Sequence, residues 1–349
     1  MKEVATHMYA VKHITVEAKK EIEQIVERIK TAFLEELKTA EWLDKTTKNK
    51  VQEKIQTLVA KIAYPYWLLD STTLEDLYGD IPDLKPDSTF PKMMQAITMK
   101  KDKVMMKKLG KAYDKDSDWL FSLSLVTAFY NPSGNEFGSI RVGLELQLLS
   151  SAQKGKLLQR VFKELSLNFG AIGTVIAHEI THSFTGRGGN YDANGRLSFQ
   201  WINPDGDAYK TKADCFKQQY GGITDNKANL PIDGQRTLDE NLADNVGLQI
   251  ALKAYNTLLK NECATPAARL EGLDHLSGTK LFFVSFGMVW CEAASAEHVK
   301  MKILRMPHSP NEYRVNIPIK NLQGFAEAFD CPSTKSNDNE NKNDKCALF

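Results

Sequence analysis

The sequence predicts an α+β chain that is mainly α-helical, and three observations predict it. Apolar residues recur at the 3.6-residue period over most of the length, strand texture appears near residues 119–142, and two histidines stand one helical turn apart. At 349 residues the chain is long enough to bury a sizeable core, in two lobes.

In chain order, Ile22, Ile25, Val26, Ile29, Phe33, Leu34 and Leu37 mark one long amphipathic helix over residues 17–43. Val51, Ile55, Leu58, Val59 and Ile62 continue the helical period until Tyr64-Pro65 breaks it. A loop-rich segment with Pro82, Pro86 and Pro91 follows from Asp70, and then a basic, methionine-rich helix over 93–109, whose methionines suit adaptable packing. From Trp119 the texture changes: Leu123, Leu125 and Phe129, a turn at Asn131-Pro-Ser-Gly-Asn135 and then Phe137–Val142 read as a hairpin at a sheet edge. Such an edge can pair with an extended peptide.

Charge separates few function classes. The chain has 45 Lys+Arg against 44 Asp+Glu and no dense basic patch interleaved with aromatics, so nothing points to nucleic acid. No run is apolar enough to span a membrane. The five cysteines, Cys215, Cys263, Cys291, Cys331 and Cys346, form no C-x-x-C pair.

One stretch dictates a chemistry. His178-Glu179-Ile180-Thr181-His182 is H-E-x-x-H, and histidines at i and i+4 share a helix face, so both imidazoles can bind one Zn²⁺ while Glu179 serves as general base toward a water. Ile172, Val175, Ile176 and Ile180 give that helix its apolar face, and Gly186, Gly188 and Gly189 its stop. A catalytic zinc wants a third protein ligand, and Glu240 is the candidate, opening a helical run through Leu248, Ile250, Leu252 and Tyr255. Thr237 and Glu240 also form T-x-x-E, a capping box that would explain the glutamate without any metal. Taken with His178 and His182, the ligand reading prevails. Asp244, one turn on, can accept the outer N–H of a zinc-bound histidine.

Further on, Gly188–Gly206 reads as loop, Cys215–Tyr220 as helix, Lys280–Trp290 as a buried helix and residues 333–345 as a polar tail. Cys346-Ala-Leu-Phe349 superficially matches a prenylation box.

Residues 168–182, Glu240-Asn-Leu-Ala-Asp244, His308-Ser-Pro-Asn-Glu-Tyr-Arg314 and Phe325-Ala-Glu-Ala-Phe-Asp-Cys331 resemble, in order and spacing, the neprilysin and endothelin-converting-enzyme family of zinc endopeptidases. The resemblance runs through essentially the whole chain. It implies a thermolysin-like (gluzincin) catalytic lobe over 119–349, the C-terminal part of a helical lobe over 1–118, and one zinc ion on His178, His182 and Glu240. The activity implied is hydrolysis of internal bonds of short peptides, with Glu179 as base, Asp244 orienting His178, His308 sharing the oxyanion and Arg314 bonding a substrate carbonyl. Thr127 and Ala128 would touch substrate, and Val175 and Trp290 would line a pocket or simply be core. The resemblance also implies a Cys215–Cys346 disulfide in place of the lipid reading, an extracellular or plasma-membrane ectodomain, and a missing N-terminal segment that would carry any membrane anchor and the partners of Cys291 and Cys331. The chain departs from the family at Thr127, where Asn is usual, at Ser139-Ile-Arg-Val-Gly143 and at Ser183-Phe-Thr-Gly186, which bears on substrate preference and allows a family member that binds peptides without cutting them.

Overall fold

The computed structural model describes residues 2–78, 81, 85, 89–115, 117–119, 127–139, 165–198, 206–262, 272–273, 275–331 and 345–349. Leu123, Leu125, residues 140–143, Cys263 and the tail 332–344 lie outside them.

The N-terminal part is helical, as its periodicity predicts. Helix α1 (Lys2–His13) leads into α2 (Val16–Thr39), which starts where the Thr15 hydroxyl accepts the Ala18 amide at 3.1 Å. Ile25, Val26, Ile29, Phe33 and Leu37 bury one stripe of α2, whereas Ile22 and Leu34 only flank it. Helix α3 (Lys45–Gln56) is capped by Asp44, whose carboxylate accepts the Thr47 amide at 3.0 Å.

The helix read through Ile62 stops earlier than its apolar spacing suggested. Val59–Ile62 is a strand, β1, lying parallel to β3 (Glu136–Ser139) with Val59 opposite Glu136 and Ile62 opposite Ser139. Leu58, Val59 and Ile62 fit both periods, and the partner strand that decides between them comes far later in the chain. Ala63, at φ +57°, then turns the chain toward Pro65. Between Asp70 and Pro91 the expected loop contains helix α4 (Ser71–Tyr78), begun by the Asp70 carboxylate accepting the Thr72 amide at 3.0 Å. Helix α5 (Phe90–Lys108) follows, with no fully buried residue, so the packing role expected of its methionines is at most partial.

The hairpin is present. Strand β2 (Ala128–Asn131) pairs antiparallel with β3 across the Asn131–Asn135 turn, and the sheet order β1-β3-β2 leaves β2 at an edge among the described residues. Four elements then bring His178, His182 and Glu240 together: α6 (Leu165–Asn168), continued by one π turn (Phe169–Gly173) into α7 (Thr174–Thr181), and α9 (Leu238–Glu262) packed across α7. Between them run α8 (Asp207–Gly221) and a two-stranded ribbon of β4 (Thr224–Asp225) and β5 (Leu230–Pro231). The last helices are α10 (Gly278–Val289), α11 (Ala296–Arg305), α12 (Asn311–Asn321) and α13 (Gln323–Ala328). Leu281, Phe282, Phe283 and Phe286 of α10 are buried, but Val284 is exposed, because a helix against one neighbour hides only one stripe.

Among the described residues one core joins these parts: Ile25, Ile29 and Phe33 belong to the same buried cluster as Ile176, Ile180, Leu242 and Val246. Cys215 and Cys346 form a disulfide with a Cα–Cα distance of 5.8 Å, which ties the chain end to α8. No described helix is long and apolar enough to cross a membrane.

Candidate metal centre

The H-E-x-x-H residues are helical because α7 carries Val175, Ile176, Ala177 and Ile180 into the core, and the π turn before it absorbs the glycines that weaken its start. Thr174 stabilises that turn through its hydroxyl, which donates to the carbonyls of Gly170 and Ala171 at 3.0 and 2.8 Å. His178 and His182 therefore project from one face, with ring centroids 4.6 Å apart and Nε2 atoms 3.0 Å apart.

Glu240 completes the set from the first turn of α9. Its Oε2 lies 3.1 Å from His178 Nε2 and 3.5 Å from His182 Nε2. The competing capping box is not made: the Thr237 hydroxyl donates to the Asp233 carbonyl at 2.9 Å and accepts from Asn241 Nδ2 at 2.8 Å. Glu240 is thus turned inward, and the three groups form the one cluster among the described residues able to hold a metal ion. The donor set is two imidazoles and a carboxylate, which suits zinc. Its spacing also fits, since a tetrahedron with zinc–ligand bonds of about 2.0–2.1 Å has edges of roughly 3.3 Å.

Asp244 sits one turn along α9 and accepts the outer N–H of His178, Nδ1 to Oδ1, at 2.8 Å. Arg314 of α12 grips the same carboxylate in two places, Nε to Oδ2 at 2.7 Å and Nη2 to Oδ1 at 2.8 Å, while its guanidinium lies 3.8 Å from the centre of the Trp290 ring. Both partners are buried, so the pair fixes Asp244 and through it the His178 ring. The family resemblance assigns Arg314 to substrate alone, and no local signal announces a pair separated by 70 positions. Nη1 of Arg314 stays outside the pair.

His308 reaches the same point from the loop before α12, with Nε2 3.0 Å from Glu240 Oε2 and its side chain 39% exposed. Next to it, buried Ser309 donates to Asn241 Oδ1 at 2.8 Å, which anchors that loop to α9. Thr127 and Ala128 stand at the start of β2, which runs beside α7. The Thr127 hydroxyl turns back onto the Ala128 carbonyl at 3.1 Å. Val175 is buried, and Trp290 is half-buried under Arg314. Of the departures after His182, Ser183 and Thr185 are buried, the latter donating to the Thr181 carbonyl at 3.1 Å.

The charges are strongly coupled. Burial disfavours the His178 cation, but hydrogen bonds to Asp244 and Glu240 outweigh it and lift the imidazole to about 10. Burial likewise opposes ionisation of Glu240, yet contacts with His178, His182 and His308 hold it far below the usual carboxylate range. Asp244 also stays low against its burial, chiefly through the Arg314 charge. Glu179 goes the other way: buried beside the cluster, its carboxyl is pushed up by desolvation, partly offset by His178 and His182.

Comparisons with known proteins agree with this geometry. A family model described as Peptidase family M13 matches residues 156–346, and a second of the same description matches residues 1–65. Neprilysin-1 of Trittame loki is 31% identical over 344 residues, covering 98% of this chain and 46% of that protein. Endothelin-converting enzyme 1 of Bos taurus is 34% identical over 313 residues, 88% of this chain and 39% of the relative. The solved structure of the Mycobacterium tuberculosis zinc metalloprotease ZMP1 in complex with an inhibitor superposes with a TM-score of 0.72 at 26% identity, over 95% of this chain and 47% of that one. The chain thus spans about half, or less, of the length of these relatives. With the zinc-type donor set in place and a family model matching more than half of its residues, the chain belongs to peptidase family M13, alongside neprilysin and endothelin-converting enzyme.

Proposed function

We propose that this chain carries the catalytic machinery of a zinc metalloendopeptidase acting on internal bonds of short peptides. The observation that carries the reading is the convergence of His178, His182 and Glu240, with Asp244 on the outer nitrogen of His178 and Glu179 buried one residue after it. One zinc ion held by these three residues would supply a Lewis acid that polarises the scissile carbonyl and lowers the pKa of water.

The remaining work falls to the chain. Glu179 takes the proton of the attacking water and returns it to the departing amine; a carboxyl raised by burial is suited to both steps. His308, partly exposed at the mouth of the cluster, donates an N–H to the oxyanion. Asp244, locked by Arg314, keeps the His178 ring aimed. Strand β2, at the sheet edge among the described residues, offers the peptide backbone a pairing partner at Thr127 and Ala128, and Arg314 Nη1 bonds a substrate carbonyl. Val175 and Trp290 line the pocket for the residue after the cut. The Cys215–Cys346 disulfide favours an oxidising compartment, hence activity outside the cell.

Cleavage of a short quenched peptide with and without a chelator, beside the variant Glu179→Gln, tests this. The parent should cut and bind one zinc, and Glu179→Gln should keep the zinc but not cut. A second reading, peptide binding without cleavage, is favoured by Thr127, whose hydroxyl is occupied by the neighbouring Ala128 carbonyl. Zinc-loaded parent that binds the peptide and leaves it intact would establish that reading instead.

A further inference from the structure

Lys54, on the inner face of α3, is fully buried and lies far from the metal in sequence. Its ammonium donates to two main-chain carbonyls, Gly188 at 2.7 Å and Tyr191 at 2.5 Å, the first residue of the short 3₁₀ turn after the metal helix and the residue that ends it. Burial pushes the amine down to about 7 against the pull of Asp192, and even a neutral amine keeps two N–H groups that can donate to these carbonyls.

The main chain of the same residue holds the hairpin. Asn135, at the β2–β3 turn, donates through Nδ2 to the Lys54 carbonyl at 3.0 Å and to the Thr57 hydroxyl at 3.1 Å, while its Oδ1 accepts the Tyr130 hydroxyl at 3.1 Å. Tyr130 lies in β2 with its ring 5.8 Å from the Lys54 ammonium. That ring also closes on Gly188: a Cβ there would lie 3.1 Å from Tyr130 Cε1 and 1.8 Å from the carbonyl oxygen of His182. One residue therefore joins the end of the metal helix, the turn after it and the edge strand beside it.

We infer that Lys54 is a positioning residue that sets the distance and register of strand β2 relative to His178 and His182, and thereby selects which peptide bond is presented for cleavage. The inference rests on the endopeptidase reading, in which β2 holds the substrate backbone. A displacement of about 1 Å at a reacting centre can cost on the order of a hundredfold in rate, so this spacing matters even though Lys54 touches neither metal nor substrate.

The test uses Lys54→Met, which keeps an unbranched apolar stem of similar reach and removes the ammonium. Zinc content should stay at one per chain, kcat/KM on a quenched peptide should fall about 10–100-fold, and mass spectrometry should show cuts at bonds neighbouring the parent site. Amide hydrogen exchange should accelerate at Ala128–Asn131 and Gly188–Tyr191 but not along α9. Tyr130→Phe and Asn135→Ala, which leave the ammonium clip intact and loosen only the hairpin, should broaden the cut site more weakly. They keep the inference testable if Lys54→Met fails to fold. A single cut site and parent-like exchange at Ala128–Asn131 in Lys54→Met, or in both hairpin variants, would overturn it. If the parent itself cuts nothing, the endopeptidase reading falls, and the exchange experiment still decides whether Lys54 fixes the strand.

Discussion

Gly247 determines how closely the two helices that bring His178, His182 and Glu240 together approach. A Cβ at this position of α9 would lie 2.9 Å from the amide nitrogen of His178, 3.0 Å from the Thr174 carbonyl oxygen and 3.2 Å from the His178 Cα. These are backbone atoms, so no side chain can rotate aside, and reaching ordinary van der Waals distances of 3.4–4 Å requires the helices to part by about half an ångström. Glu240 and Asp244 lie on the same face of α9 and would move with it. Ligand distances tolerate only about ±0.2 Å, and loss of a partner to a ligating histidine lowers metal affinity by about 10–100-fold. Stability should change less, because the added methyl costs about 1–3 kcal/mol in overpacking while replacing glycine within a helix returns about 1. Gly247→Ala should therefore melt close to the parent yet bind zinc about 10–100-fold more weakly, measured by competition with a chelating dye. Gly287→Ala is the control, since the nearest atom to its Cβ, Val315 Cγ1, is 4.0 Å away and the substitution should leave zinc untouched. Parent-like zinc affinity in Gly247→Ala would refute the idea that this crossing sets the ligand geometry.

Other substitutions separate the remaining roles. Glu240→Gln should lose zinc as well as turnover, and metal analysis showing a full complement would remove Glu240 from the ligands. His308→Ala should lower kcat by roughly 10²–10³ with KM little changed, whereas a pure KM effect would make it a binding residue. The Cys215–Cys346 bridge closes a loop of 131 positions, for which loop entropy alone gives about 5 kcal/mol, so Cys215→Ala with Cys346→Ala should lower the denaturation midpoint well beyond an ordinary surface change. Native thiol labelling should modify exposed Cys291 and Cys331 and spare the bridged pair until reduction.

What the sequence made legible follows the range of the interaction concerned. His178 and His182 are a local i, i+4 signal, and the helix that presents them lies where its apolar face and glycine stop put it. The long α2 stripe was equally local. Val59–Ile62 was misassigned because its residues suit two periods and the deciding strand, β3, is distant in the chain. Helix α4 was hidden among prolines and threonines although its cap, Asp70, was visible in principle as an Asp two residues before Thr72. The Arg314–Asp244 pair and the Lys54 clip join residues with no common motif, and only the folded chain brings them together.

Glu240 shows how a local rule and a distant partner compete for one side chain. T-x-x-E is a sound signature of a helix start, and the first turn of α9 does favour carboxylates by its dipole. Yet Asp233 braces the turn that leads into it: its carboxylate accepts the Arg236 amide at 2.9 Å and its carbonyl accepts the Thr237 hydroxyl at 2.9 Å. Glu240 instead points at the histidines, whose contacts hold its carboxyl far below the usual range against its burial. Glu240, Asp244 and Gly247 then fall at i, i+4 and i+7, on the single face of α9 that crosses α7. Read separately they are a cap, a polar residue and a weak helix former. Against α7 they are the proposed third ligand, the group that holds the His178 ring, and the gap that lets both arrive.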